Sequence, residues 1–226
     1  MTIVLKVGGS SAAAVAAQVV AEAASGRPLV VVHGGGPQIN ALLREQGIEP
    51  RYAGGRRITD AATLACVEEG LRAVNDRLCA DLQAAGLPAR GIPAGVVRAR
   101  RVPELGEVGE PVSADVAAVE AMLALGEIPV VGPLSTELAG DALLNVNADD
   151  AAAVLAGALA ADELVFLTDV PGVLDAHGAL IRELRASTPP ASATGGMLPK
   201  LEACAAALSA GVLRVWIGRG GTLVRA

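Results

Sequence analysis

Two lysines, one aspartate and two glycine-rich turns are the parts of this 226-residue chain whose types and spacing point to chemistry. Lys6 lies inside the apolar run Ile3–Val7, two residues before Gly8. An ammonium group buried there is costly unless an anion neutralises it. The ordinary alternative is a lysine that snorkels outward from a strand end. The stretches VLKVGGSS and VVVHGGGP each join an apolar strand to a helix. Unpaired N–H groups at a helix N-terminus attract anions, and glycine lets the anion come close. Tight turns also need glycine for its own sake, so one such turn means little. Two on the same edge of a parallel sheet mean more, because ligands collect at the carboxyl ends of the strands.

The stretch LLNVNADDAAAVLAGAL adds acceptors. Read as an extended segment, it places Asn145, Asn147 and Asp149 on one face, and Asp149 also reads as a helix N-cap. In TGGMLPK, Gly195 and Gly196 precede a helix that bears Lys200, and a lone helix lysine is ordinarily solvated. The motif GxxxxGK[ST] is absent, so no P-loop is indicated. GxGxxG after the first strand is absent too, and no acidic residue ends the second strand to hold a ribose. These absences disfavour a dinucleotide-dependent dehydrogenase.

The elements that must position these groups follow from the apolar periodicity. Strands are expected at Ile3–Val7, Leu29–Val32, Ile128–Val131, Leu164–Thr168, Arg214–Ile217 and Thr222–Val224, and helices at Ala12–Ala24, Pro37–Gln46, Ala61–Ala85, Ala114–Leu125, Asp149–Ala161 and Leu198–Ala210. Proline is well suited to the first helical position, as at Pro37. A hairpin is expected at Tyr52–Asp60, around Gly54 and Gly55, and further hairpins in the broken segment Ile92–Val112. Strand–helix alternation with uniformly apolar strands predicts an α/β fold, a three-layer α/β/α sandwich on a mostly parallel sheet. Pro189–Thr194 is a low-complexity loop, and no internal repeat is visible.

Bulk properties bound the function. Hydrophobic residues make up 52% of the chain but only three residues are aromatic, so the core must be built from Ala, Val and Leu. A net charge of −6 argues against a nucleic-acid or anionic-membrane surface. No apolar run reaches the roughly 18 residues that span a bilayer, and no signal peptide opens the chain. Cys66, Cys79 and Cys204 lack CxxC spacing and read as reduced thiols of a cytoplasmic protein.

Taken in order, KVGG (Lys6–Gly9), HGGGPQI (His33–Ile39), GRRITD (Gly55–Asp60), GEVG (Gly106–Gly109), NVNADDAA (Asn145–Ala152), LTDVPGVL (Leu167–Leu174) and GGMLPKLEAC (Gly195–Cys204) resemble the amino acid kinase superfamily, with its carbamate kinase-like fold. Within it they are most similar to the N-acetylglutamate kinases of arginine biosynthesis. The resemblance implies one domain over residues 1–226. Its N-lobe, 1–145, would hold the acceptor and the dimer contact, and its C-lobe, 146–226, the nucleotide. It implies transfer from ATP, with Mg²⁺ carried by the phosphates and no protein metal ligand, to N-acetyl-L-glutamate. Lys6 and Lys200 would flank the moving phosphoryl, Asp149 would orient both, and Gly8 and Gly35 would add backbone donors. Gly35, Gly36, Arg57 and Asn145 would bind the acceptor, with a Cβ at Gly35 or Gly36 pushing it away. Gly9, Ser10, Thr168, Asp169, Gly172, Leu174, Thr194, Gly196 and Met197 would bind the nucleotide.

The chain also departs from the pattern. Arg56 replaces the usual leucine, so either Arg56 or Arg57 could be the acceptor's arginine. The segment before GGM is short, and the helix between the last two strands is missing. Lacking the N-terminal helix of arginine-inhibited hexamers, the chain is expected to be an arginine-insensitive homodimer. Two alternatives stand beside this reading. One is a carrier-protein-dependent aminoadipate kinase, for which Arg98, Arg100 and Arg101 are the available basic cluster. The other is a catalytically silent amino-acid-binding regulator on the same fold.

Overall fold

A computed structural model describes residues 1–8 and 12–226. Gly9 and Ser10, expected at the nucleotide, lie outside them. The chain begins with β1 (Ile3–Val7), α1 (Ala12–Ala23), β2 (Leu29–His33) and α2 (Gly36–Glu45). The ribbon β3 (Tyr52–Ala53) and β4 (Arg56–Arg57) leads into α3 (Ala61–Ala84), β5 (Ala89–Arg101), β6 (Gly109–Ala114) and α4 (Ala117–Ala124). Then come β7 (Ile128–Glu137), β8 (Leu143–Leu144), α5 (Ala148–Ala158) and β9 (Glu163–Phe166). β10 (Glu183–Arg185), α6 (Met197–Ser209), β11 (Arg214–Ile217) and β12 (Thr222–Arg225) complete the chain.

Among the described residues, ten strands form one sheet in the order β10-β12-β11-β9-β1-β2-β7-β5-β6, with β8 on β7. Pairing is parallel from β11 through β5, and antiparallel only for β11–β12, β5–β6 and β7–β8. Side chains alternate across a strand, and this alternation sorts the core into two layers. Ile3, Leu5 and Val7 pack with Val15 and Val19 of α1 and Leu78 and Leu82 of α3. Val4, Val32 and Phe166 pack on the other face with Leu155 of α5 and Leu201 of α6. Helices therefore cover both faces, as the apolar strands demand.

Local chemistry sets the helix starts. The Asp60 side chain accepts from Thr63 N at 2.8 Å and caps α3. The cap of α5 is Asn147, whose Oδ1 accepts from Asp149 N at 2.7 Å. Asp149 is therefore not the N-cap that the sequence suggested. It lies inside the first turn, and the run from Asn145 is not one extended segment.

The broken stretch after Ile92 does hold an expected hairpin, but one and not several. It forms one 13-residue strand, β5, that turns back as β6, and Ala114 belongs to β6 and not to a helix. Register shifts at Ile92/Ala94 and Ala94/Arg98 absorb Pro93 and Gly95, as bulges commonly do.

Candidate active site

β1 and β2 are parallel and end side by side, so Gly8 and Gly34 follow them at the same end of the strands. Lys6 shares the face of Val4, so its side chain goes to the α5 side. There Lys6 Nζ lies 2.7 Å from Asp149 Oδ1. Lys200 Nζ lies 2.8 Å from Asp149 Oδ2, so one carboxylate bridges two ammonium groups. All three side chains are nearly buried, at 13%, 11% and 12% exposure in chain order.

The helix dipoles treat the two partners differently. An acid in the first turn of α5 is favoured, whereas a cation in the first turn of α6 is not. Lys200 is held against that cost by Asp149 and by the ring of Phe166, whose centroid is 5.1 Å from Nζ. Burial is the largest influence on Asp149 and pushes its pKa up, but the two ammonium groups outweigh it and hold it low. Burial also dominates Lys6, and with the charge of Lys200 it lowers the pKa below the ordinary lysine value despite Asp149. The three groups form a compact cationic site with a fixed acid at its centre.

Beside it opens a cavity of about 250 Å³, lined by Lys6, Gly34–Gly36, Arg56, Arg57, Asn145 and Asp149 among others. Arg57 is 8% exposed, and its guanidinium lies 4.9 Å from the Tyr52 ring. Its Nη1 is buried without a hydrogen-bond partner. Arg56 instead reaches Asp150, 3.5 Å away. Of the two adjacent arginines, Arg57 is thus the one with a buried donor left to offer an anion. Burial pushes the Asp150 carboxyl up to about 6, with Arg56 opposing and Asp149, Glu202 and Glu110 adding to the shift.

Asn145 Nδ2 donates to Thr59 Oγ1 at 3.0 Å, and Thr59 Oγ1 donates to the Arg57 carbonyl at 2.9 Å. This chain ties the ribbon to the floor of the cavity. Gly106 closes the same junction: a Cβ there would lie 2.4 Å from Thr59 O. At the second turn, a Cβ on Gly35 would meet Leu71 at 2.9 Å, whereas one on Gly36 would meet no protein atom within 4 Å. Gly35 therefore has a packing reason of its own, and only Gly36 faces open space.

The described residues expected at the nucleotide all follow α5 in the chain. Thr168–Leu174 and Thr194–Gly196 belong to neighbouring loops, joined where Ser192 Oγ donates to Leu174 O at 2.8 Å, and Met197 opens α6. Gly172 has a structural part here, since a Cβ would lie 2.6 Å from Thr222 Oγ1. Thr222 Oγ1 in turn accepts from Val173 N at 2.8 Å and donates to Ile181 O at 2.6 Å. The short turn between β11 and β12 supports this loop: Gly221 lies so close beneath it that a Cβ would be 2.0 Å from Pro171 O.

Two polar residues beside the site were not singled out from the sequence, Asp150 and Asn75. Asn75 carried a signal, because it interrupts the apolar stripe Leu71–Leu78–Leu82 on the buried face of α3. Asp150 carried none beyond its place after Asp149.

Residues 1–219 match the amino acid kinase family. The acetylglutamate kinase of Cereibacter sphaeroides is 42% identical over 203 residues, which cover 85% of this chain and 69% of that one. The crystal structure of smu.665 from Streptococcus mutans superposes with a TM-score of 0.90 at 33% identity, covering 100% of this chain and 98% of that one. Carbamate kinase from Giardia lamblia, at 18% identity, shares the fold with a TM-score of 0.72 over 99% of this chain and 97% of that one.

Proposed function

The chain belongs to the amino acid kinase family, and on that premise we propose that it transfers the γ-phosphoryl group of ATP to the side-chain carboxylate of N-acetyl-L-glutamate. The products are N-acetyl-L-glutamyl 5-phosphate and ADP. One observation carries this reading: Asp149 bridges Lys6 and Lys200 beside a cavity that holds the buried, unpaired donor of Arg57. Relatives named acetylglutamate kinase support the choice of acceptor.

The acceptor carboxylate is ionised at neutral pH, so attack needs no general base. Asp149 is poorly placed to act as one in any case, because each of its oxygens is held in an ion pair with an ammonium group and its pKa is lowered. An acceptor oxygen forms a bond to the γ-phosphorus while the bond to the β–γ bridging oxygen breaks, and that electron pair leaves with ADP. The obstacle is an anion approaching an anion. Fixed cations on both sides of the moving group and backbone donors at Gly8 and Gly35 lower it, because their charge is already oriented before reaction. Arg57 takes the acceptor's α-carboxylate through a bidentate, charge-assisted contact. Asn145 takes the acetamido end, Gly36 leaves room for the acceptor, and the segments Thr168–Leu174 and Thr194–Met197 take the nucleotide.

Mg²⁺ would ride on phosphate oxygens and water, as it often does with nucleotides. Among the described residues, no group of three or more His, Cys, Asp or Glu could hold a metal ion. In this reading the N-lobe serves the acceptor and the C-lobe the nucleotide. A homodimer in the cytoplasm, acting in arginine biosynthesis, completes the proposal. No described helix is long and apolar enough to cross a membrane. A carrier-protein acceptor gains little support, since Arg101 of the basic cluster is already paired with Glu107 and Glu137.

The test is ADP release with N-acetylglutamate, glutamate and aminoadipate side by side, with hydroxylamine trapping of the acyl phosphate. N-acetylglutamate should be turned over in clear preference. Equal or faster turnover of either other acid would overturn the assignment.

A further inference from the structure

Behind the Gly34–Gly36 turn lies a chain of buried polar groups that phosphotransfer itself leaves unused. His33 ends β2 on the α1/α3 side of the sheet, 1% exposed, and Asn75 of α3, also 1% exposed, lies against it. Asn75 Nδ2 is 2.9 Å from Val130 O and 3.0 Å from His33 Nε2. A carbonyl oxygen only accepts, so this Asn75 atom is the amide nitrogen, with one proton for each partner. Nε2 therefore accepts, the imidazole proton resides on Nδ1, and Nδ1 donates to Gly34 O at 3.0 Å. Burial keeps the ring neutral and pushes its pKa down to about 4; the Gly34 bond opposes this and the Lys6 charge adds to it. The neighbouring strand makes room for the arrangement, because a Cβ on Gly91 would lie 2.1 Å from Asn75 Oδ1.

In a trans peptide the C=O and N–H point in opposite directions. With Gly34 O drawn to His33 on the α3 side, Gly35 N–H faces the α5 side, where Lys6, Asp149 and the acceptor cavity lie. Glycine alone would not hold that orientation, since its backbone turns at little steric cost. A flipped peptide would present a carbonyl oxygen to two anions.

We propose that His33 and Asn75 are positioning residues that lock the Gly34–Gly35 peptide with its N–H aimed at the transferring phosphoryl group. The proposal rests on the phosphotransfer reading and adds to it the groups that keep the backbone donor in place.

Two variants separate positioning from plain packing. His33→Asn sets an amide N–H where Nδ1 was and keeps a donor for Gly34 O. His33→Gln reaches the Asn75 side and loses that donor. His33→Gln should lower kcat by ~10²-fold or more, the usual effect of removing one such donor, with KM for ATP within about twofold. His33→Asn should keep kcat within about tenfold of the unaltered protein, a partial loss of the same donor. Loss of kcat by both variants in step with their melting temperatures, or wild-type kcat in His33→Gln, would overturn the proposal. Imidazole ¹⁵N shifts of the resting protein provide an independent readout. A proton on Nδ1 supports the relay, and one on Nε2 refutes it whatever the substrate is. If the unaltered protein fails to turn over N-acetylglutamate, the phosphotransfer reading falls, while the tautomer still decides the relay.

Discussion

Only two lysines occur in the chain, and both bind Asp149, while the other sixteen of its eighteen Lys and Arg residues are arginine. A composition that favours arginine elsewhere keeps lysine where geometry demands it. An ammonium group is a compact charge with three donors, so it can give one proton to Asp149 and aim the others at a phosphoryl oxygen. A guanidinium group is a flat fork, and two of them would not share one buried carboxylate in the same way. Lys6→Ala and Lys200→Ala should each lower kcat by ~10²-fold or more, with much smaller changes in KM, because fixed charge acts on the transition state. Lys6→Arg and Lys200→Arg should not rescue turnover, although they keep the charge. Steady-state kinetics on the four variants decides this, and unchanged kcat in either alanine variant would remove the assigned roles.

At the scale of elements, the site depends on two helices that run side by side. Asp149 and Lys200 meet at the N-terminal ends of α5 and α6, and at the other ends a Cβ on Gly157 would lie 2.6 Å from Ala210 Cβ. That missing side chain lets the helices close up. Gly157→Val should cost about 1–3 kcal/mol by overpacking. It should also spread the helices, so that Lys200 draws away from Asp149 and kcat falls while the acceptor's KM holds. A melting curve and kinetics check both halves, and a lower melting temperature with unchanged kcat would sever the link between packing and catalysis. This coupling was not legible in the sequence, where Gly157 is one small residue in an alanine-rich helix. What was legible had strong local causes: apolar β1 and β2, Pro37 at the start of α2, and Gly54–Gly55 between β3 and β4. The extra length of β5 was hidden, because Pro93 and Gly95 read as breaks when both in fact fall at register shifts of the strand. β8 and β10, two and three residues long, carry too little pattern to read. Of the Lys6–Asp149–Lys200 centre only Lys6 was marked by its type, because an ammonium in an apolar strand is costly to bury. Asp149 read equally as a cap and Lys200 as a solvated helix lysine, so their place beside Lys6 rested on the family resemblance. Asn147 displaced Asp149 as the cap because both types suit that position, and only the backbone path distinguishes them.

For the molecule as a whole, the site writes two opposing terms into the dependence of stability on pH. His33 has its folded pKa near 4, below its ordinary 6.5, so the unfolded chain binds more protons between those values. Its contribution to stability is present above pH 6.5 and is lost as pH falls toward 4. Asp150 is the reverse: its folded pKa, about 6, lies above the ordinary 3.8, so the native state binds the extra proton. Its contribution is full below pH 3.8 and is lost as pH rises through 6. Each shift corresponds to about 3 kcal/mol, by the conversion of one pKa unit to ~1.4 kcal/mol. In the overlapping window, between about pH 4 and 6, the two slopes have opposite sign and largely cancel. Asp150→Asn removes one of them while keeping the shape of the side chain. Relative to the unaltered chain, this variant should gain about 3 kcal/mol between pH 4 and pH 7, because it no longer buries a charge at the higher pH. Urea unfolding at several pH values measures the difference directly. A stability difference that stays constant across that range would mean that Asp150 titrates normally, and that the Arg56 contact, not burial, governs the second acid of α5.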